Sequence, residues 1–227
     1  MRHIIYTTLA AALTSIVSLQ AGDTNKDTSK TVMPKEVAAT PAVTKHDWAL
    51  ELGTGVALSN VRDSNLDGYT AIPAKLTAVY TIDEVSLDKV LCGVLRGNTE
   101  FLFQGYWDEF VHAPRGENHI EGMNFGPRYN FVQPGWKFVP YVQGLVGFGF
   151  ADSNPTGSRA AKTSHGLGQD FNFTFGVGAG VRYDICQNWY TQLGVDYSHF
   201  SNAGLSGSVS NRAIDQLGPQ VSLGYRF

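Results

Sequence analysis

The chain has 227 residues, 43% of them hydrophobic and 16% charged, with a formal net charge of -3. That balance excludes the basic face or stripe that nucleic-acid binding calls for. Its two cysteines, Cys92 and Cys186, are too few for a disulfide-stapled miniprotein; an oxidising compartment permits one bridge between them, and the alternative is two unpaired thiols at strand ends.

Met1-Arg2-His3, the apolar run from Ile4 to Leu19 and the small exit residue Ala21 read as a secretory signal peptide over residues 1–21. Thr7, Thr8, Thr14, Ser15 and Ser18 make the run too polar for a lasting membrane helix. Cleavage is expected after Ala21, and the next residue is Gly22 rather than the cysteine a lipoprotein needs. Residues 22–46 are Thr, Lys, Asp, Ala and Pro with almost no large apolar side chain. Such a stretch buries too little surface to offset its ordering entropy, so it reads as a flexible periplasmic leader without chemistry.

From Trp48 the texture changes to alternating apolar and small or polar residues, with no run near the length of a transmembrane helix. Eight strand-like runs are expected, over 47–57, 68–82, 93–107, 119–132, 137–151, 170–184, 188–201 and 214–227. Each is long enough to cross a bilayer as a tilted strand of about 9 to 11 residues. The connections 130–136 and 184–188 are tight, whereas 58–67, 108–118, 152–169 and 202–213 are longer and polar, and 83–92 is longer than a simple alternation wants. Short turns on one side and long loops on the other, an even strand number and an alternating final strand ending in Phe227 predict an all-β fold: an eight-stranded antiparallel transmembrane outer-membrane β-barrel over residues 47–227. Phe227 then serves as the terminal signal for the barrel-assembly machinery. A soluble sandwich leaves the signal peptide and the loop asymmetry without a reason.

Parity assigns the faces, because successive side chains of a strand point to opposite sides. In the seventh run Trp189, Thr191, Leu193, Val195 and Tyr197 share the lipid face, and in the eighth Leu217, Pro219, Val221, Leu223, Tyr225 and Phe227 do so. Continued to the loop side, the same rows reach His199 and Ser201 on one strand and Asp215 on the other. Polar groups on that surface, beside the outer leaflet, are costly unless they have a use. A serine hydroxyl needs a base to take its proton, and the base needs a third group to fix its tautomer. Ser201 is the candidate nucleophile, His199 the general base and Asp215 the orienting acid; Asn202 with the amides of Ala203 and Gly204 is the candidate oxyanion hole. By spacing alone, a rim histidine beside a loop serine is an equally good account.

The segment His199-Phe200-Ser201-Asn202-Ala203-Gly204-Leu205, followed by Ala213-Ile214-Asp215, resembles the His-x-Ser-Asn-Ala-Gly segment and following acid of the lipid A 3-O-deacylase (PagL) family. Looser likeness extends through 172–183, 140–144 and 127–131, and the first two strands carry no family motif. The resemblance implies an outer-membrane esterase that removes the 3-O-linked acyl chain of lipid A, the lipid part of lipopolysaccharide, by a Ser-His-acid mechanism without metal or other cofactor. It carries the roles onto His199, Ser201 and Asp215, with Asn202 and Gly204 near the oxyanion. The acid is Asp where the family type has Glu, and the loop before it is about two residues longer. The His-x-Ser-Asn core also occurs in the outer-membrane phospholipase A family, a calcium-dependent barrel of about a dozen strands; eight runs favour the deacylase. A non-enzymatic structural or adhesive barrel is the competing class, and a homodimer stays open.

Asp63-Ser64-Asn65-Leu66-Asp67-Gly68 opens like a calcium loop, but Ala74 stands where the closing carboxylate belongs; an ordinary surface turn is the expectation. His112, His119 and His165 show no ligand spacing and are expected in solvent. Trp107, Trp136 and Trp189 fit interfacial girdles, and the Gly-x-Gly pairs at 147–149 and 176–178 fit strand curvature.

Overall fold

A computed structural model describes residues 47–59, 69–112, 118–151, 170–205 and 213–227. The expected signal peptide, leader, calcium-like loop and most of the long connections lie outside these residues, as does His165. Nine strand segments follow one another: β1 Trp48–Gly55, β2 Ala57–Ser59, β3 Tyr69–Thr81, β4 Asn98–His112, β5 His119–Asn130, β6 Phe138–Ala151, β7 Phe171–Asp184, β8 Trp189–Ser201 and β9 Ile214–Arg226. Every neighbouring pair is antiparallel, and β1 pairs with both β3 and β9, so the sheet closes on itself.

β1 and β2 are one wall of the barrel. Pairing to β3 and to β9 keeps one register across Val56, from Thr54↔Ala74 to Ala57↔Ala71 and from Gly55↔Gln220 to Leu58↔Leu217. The gap falls where Val56 meets Pro219: the Val56 N–H donates to the Pro219 carbonyl at 3.1 Å, but proline has no N–H to return. The walls therefore number eight, as expected from the run count.

The fourth segment departs from the expectation of 93–107. It begins at Asn98 and runs to His112, so residues 108–112 of the tract read as loop are strand, within a segment paired with β3 and β5. Asp108 is the residue that disguises it: its charge suggests a loop, yet it is buried in the barrel interior in line with Glu100, Leu102, Gln104, Tyr106 and Phe110. A small outer-membrane-type barrel tolerates polar side chains inside, so charge does not end its strands. The preceding connection is correspondingly longer, and contains a 3-10 turn at Val90–Gly93 and a bridge between Ser86 and Gly97. Cys92 in that turn and Cys186 between β7 and β8 are both exposed and unpaired.

Leu52, Leu76, Phe103, Phe125, Val146, Phe175, Leu193 and Val221 are exposed on the outside of the wall. The interior holds two apolar layers with an ionic layer. Ala57, Ala71, Tyr106, Phe110, Ile120, Ala151, Phe200 and Ile214 cluster toward the long connections. Ala49, Val79, Leu102, Leu145 and Tyr190 cluster toward the short turns. Beside the second layer the Arg128 guanidinium grips Glu51 with two hydrogen bonds of 2.6 and 2.9 Å, and Arg182 donates to Glu100 at 3.1 Å. All four charged residues are buried. An eight-stranded barrel is just wide enough for its side chains to fill it, so this is a packed core.

The ends of the barrel differ. Trp48 and Phe227 meet at one end, where the Phe227 N–H donates to the Trp48 carbonyl at 3.0 Å. The connections 82–97, 131–137 and 185–188 lie at that same end, and the strands joined through 60–68, 113–118, 152–170 and 202–213 are joined at the other. By the rule for outer-membrane barrels the first end is periplasmic and the second extracellular.

Candidate active site on the outer wall

Strand parity is enforced here by buried side chains. Phe200 and Ile214 are only 2% and 1% exposed, and they point into the apolar layer, where the Phe200 ring lies 6.1 Å from that of Tyr106. Burying a ring of that size stabilises the strand by about 2 to 3 kcal/mol. With Phe200 inside, its neighbours His199 and Ser201 must point outward, and with Ile214 inside, Asp215 must do the same. The outer wall thus receives its polar row from the packing beneath it.

The register then brings base and acid together. His199 lies opposite Asp215 across β8 and β9. Its Nδ1 is 2.8 Å from Asp215 Oδ1, with the imidazole 32% and the carboxylate 13% exposed. A carboxylate at Nδ1 favours the tautomer that carries its proton there and leaves the Nε2 lone pair free to act as a base. The same Oδ1 accepts a hydrogen bond from the Tyr197 hydroxyl. Parity alone had placed Tyr197 in the lipid-facing row; its signal in the sequence was its position two residues before His199.

Ser201 ends β8, one pleat beyond His199 on the same face and opposite Phe173 of β7. The backbone then turns sharply: Ala203 and Gly204 both take left-handed conformations, with φ of 52° and 80°. Glycine adopts that conformation without penalty, while alanine does so at a steric cost. The turn aims the Ala203 N–H at Ser201 Oγ, 3.3 Å away.

Of the three groups expected around the oxyanion, the structure sets the Ala203 amide beside the serine oxygen. The Gly204 N–H donates instead to Asn202 Oδ1 at 2.9 Å, and the Leu205 N–H donates to the Asn202 carbonyl at 3.0 Å. Asn202 is fully buried, so its side chain holds the turn. An Asn side chain can bond its own backbone two residues on, as happens here, which is why this residue type suits the position.

Elsewhere the candidates separate. His119 stacks on Trp107 with ring centroids 4.1 Å apart, so it is part of an aromatic pair rather than free in solvent. Among the described residues, no group of three His, Cys, Asp or Glu stands close enough to hold a metal ion.

The family described as Lipid A 3-O-deacylase (PagL) matches residues 90–226. Protein opa of Haemophilus influenzae (strain ATCC 51907 / DSM 11121 / KW20 / Rd) is 27% identical over 116 residues, 51% of this chain and 87% of that protein. The crystal structure of Neisserial surface protein A is similar with a TM-score of 0.53 at 14% identity, covering 79% of this chain and 96% of that one. The crystal structure of the outer membrane enzyme PagL gives 0.49 at 17% identity, over 77% and 97%. At 14% identity the Neisserial surface protein A structure bears on the fold alone. The family match spans more than half of the sequence, and it includes every residue of the row just described: the chain is an outer-membrane β-barrel that belongs to the lipid A 3-O-deacylase (PagL) family.

Proposed function

We propose that this protein is an esterase of the outer leaflet that hydrolyses the 3-O-linked acyl chain of lipid A, with Ser201 as nucleophile, His199 as general base and Asp215 as orienting acid. The observation that carries the reading is the His199–Asp215 pair on the membrane-facing side of the wall, 2.8 Å apart and next to an outward serine. A polar pair on that face is costly against lipid unless it has a use, and a lipid ester lying against the wall gives it a substrate.

In the proposed reaction His199 Nε2 takes the Ser201 hydroxyl proton as Oγ attacks the ester carbonyl. The negative oxygen of the tetrahedral intermediate lies against the Ala203 N–H. Collapse breaks the ester bond, and the sugar hydroxyl leaves with the proton from His199. Water, deprotonated by the same imidazole, then attacks the acyl-serine and releases the fatty acid. Asp215 keeps the imidazole in the required tautomer and stabilises its charged form.

Export through a signal peptide over residues 1–21, a leader over 22–46 and recognition of Phe227 by the barrel-assembly machinery belong to the same proposal. Mass spectrometry of lipid A from cells expressing the wild-type chain, beside cells expressing Ser201→Ala, tests it. Loss of one hydroxyacyl mass with the wild type alone is expected. Unchanged lipid A with both, from folded protein, overturns the substrate and directs attention to glycerophospholipid esters.

A further inference from the structure

The carboxylate of Asp215 faces the lipid side of the wall, where a charge needs donors close by. His199 supplies one through Nδ1. The second comes from below: Tyr197 lies on the same face of β8, one pleat toward the membrane, and its hydroxyl donates to the Oδ1 atom that faces the imidazole. In register, Tyr197 stands between Val177 of β7 and Leu217 of β9, both exposed on the apolar outer surface. Its ring therefore belongs to the apolar zone while its hydroxyl reaches up to the charged row, the usual division of labour of a tyrosine at a wet boundary.

We infer that Tyr197 is a positioning residue of this site, holding the Asp215 carboxylate against His199 from the membrane side. The inference rests on the proposed hydrolytic reading and extends the constellation to a fourth side chain. An aspartate has one fewer methylene than the glutamate of the family type, so it has less freedom to meet the imidazole by its own rotation. A hydroxyl fixed by a strand below restricts the carboxylate further, and a hydrogen bond to an ionised group is among the stronger ones. Tyr197 acts through Asp215.

The test is Tyr197→Phe, which removes the hydroxyl and keeps the ring, measured in detergent-folded full-length protein with lipid A. Heat-modifiable migration on gels checks the barrel. Expected is a fall in kcat of about tenfold with KM unchanged, together with an upfield move of the His199 Nδ1–H proton resonance as the carboxylate loosens. In an Asp215→Ala background the same change is expected to have no further effect, because its route is gone. An unchanged resonance in folded Tyr197→Phe overturns the inference, and so does a rise in KM at constant kcat, which makes Tyr197 a lipid contact. If the wild-type protein leaves lipid A intact, the hydrolytic reading has failed, and the resonance still decides whether Tyr197 holds the Asp215–His199 pair.

Discussion

The barrel carries charged groups in two settings, and they differ in what surrounds them. Inside, Glu51 receives two hydrogen bonds from Arg128, one from Tyr190 at 2.7 Å and one from Gln192 at 3.2 Å. Outside, Asp215 sits at the membrane boundary on the uncovered face of the sheet, with His199 and Tyr197 on a single oxygen. The interior set is saturated with donors and enclosed by packed walls, as a structural ion pair must be to offset its desolvation. The outer set includes a half-buried imidazole whose Nδ1 faces the carboxylate, next to a serine. The contrast separates charge used to fill a lumen from charge kept available for chemistry.

Four substitutions break or sharpen that contrast. His199→Ala removes the base and is expected to lower deacylation by about 10⁴-fold without moving the unfolding midpoint in urea; a large loss of stability would transfer His199 to the structural class. Arg128→Met strands Glu51 in the interior and is expected to cost about 3 to 5 kcal/mol of stability, read from urea unfolding in detergent, while the folded fraction keeps its activity per molecule. Asp215→Ala leaves the imidazole unoriented; a drop of about a hundredfold is expected, smaller than for His199→Ala, and an unchanged rate would point to another partner for the ring. Asn202→Ala frees the Gly204 amide and slackens the turn after Ser201, with a rate loss of about tenfold; a much larger loss would move the Asn202 side chain from holding the turn to contacting the reacting group.

Much of this was legible because a strand repeats every two residues. Leu193, Val195, Val221 and Leu223 alternate with polar or small partners cleanly enough to give both faces of β8 and β9, and those faces carry His199, Ser201 and Asp215 to one surface. The same logic ended β4 too early: Asp108, on its inward row with Glu100 and Gln104, looks like a loop residue until the lumen is seen to be polar. Tyr197 was hidden for the converse reason, since an aromatic in a lipid-facing row is what any such barrel contains, and only the hydroxyl's contact with Asp215 distinguishes it. The hydrogen bonds of Asn202 depend on the two left-handed residues that follow it, Ala203 and Gly204. Pattern does not specify that local geometry.

The polar row stands on the convex side of the wall, and packed side chains fill the lumen behind it. A molecule that meets Ser201 therefore arrives edgewise, by two-dimensional diffusion within the leaflet. For the proposed esterase the quantity that sets encounter is the mole fraction of lipid A among its neighbours. Mixing in an inert lipid slows such an enzyme, whereas diluting the same vesicles with buffer leaves the turnover of each embedded copy as it was.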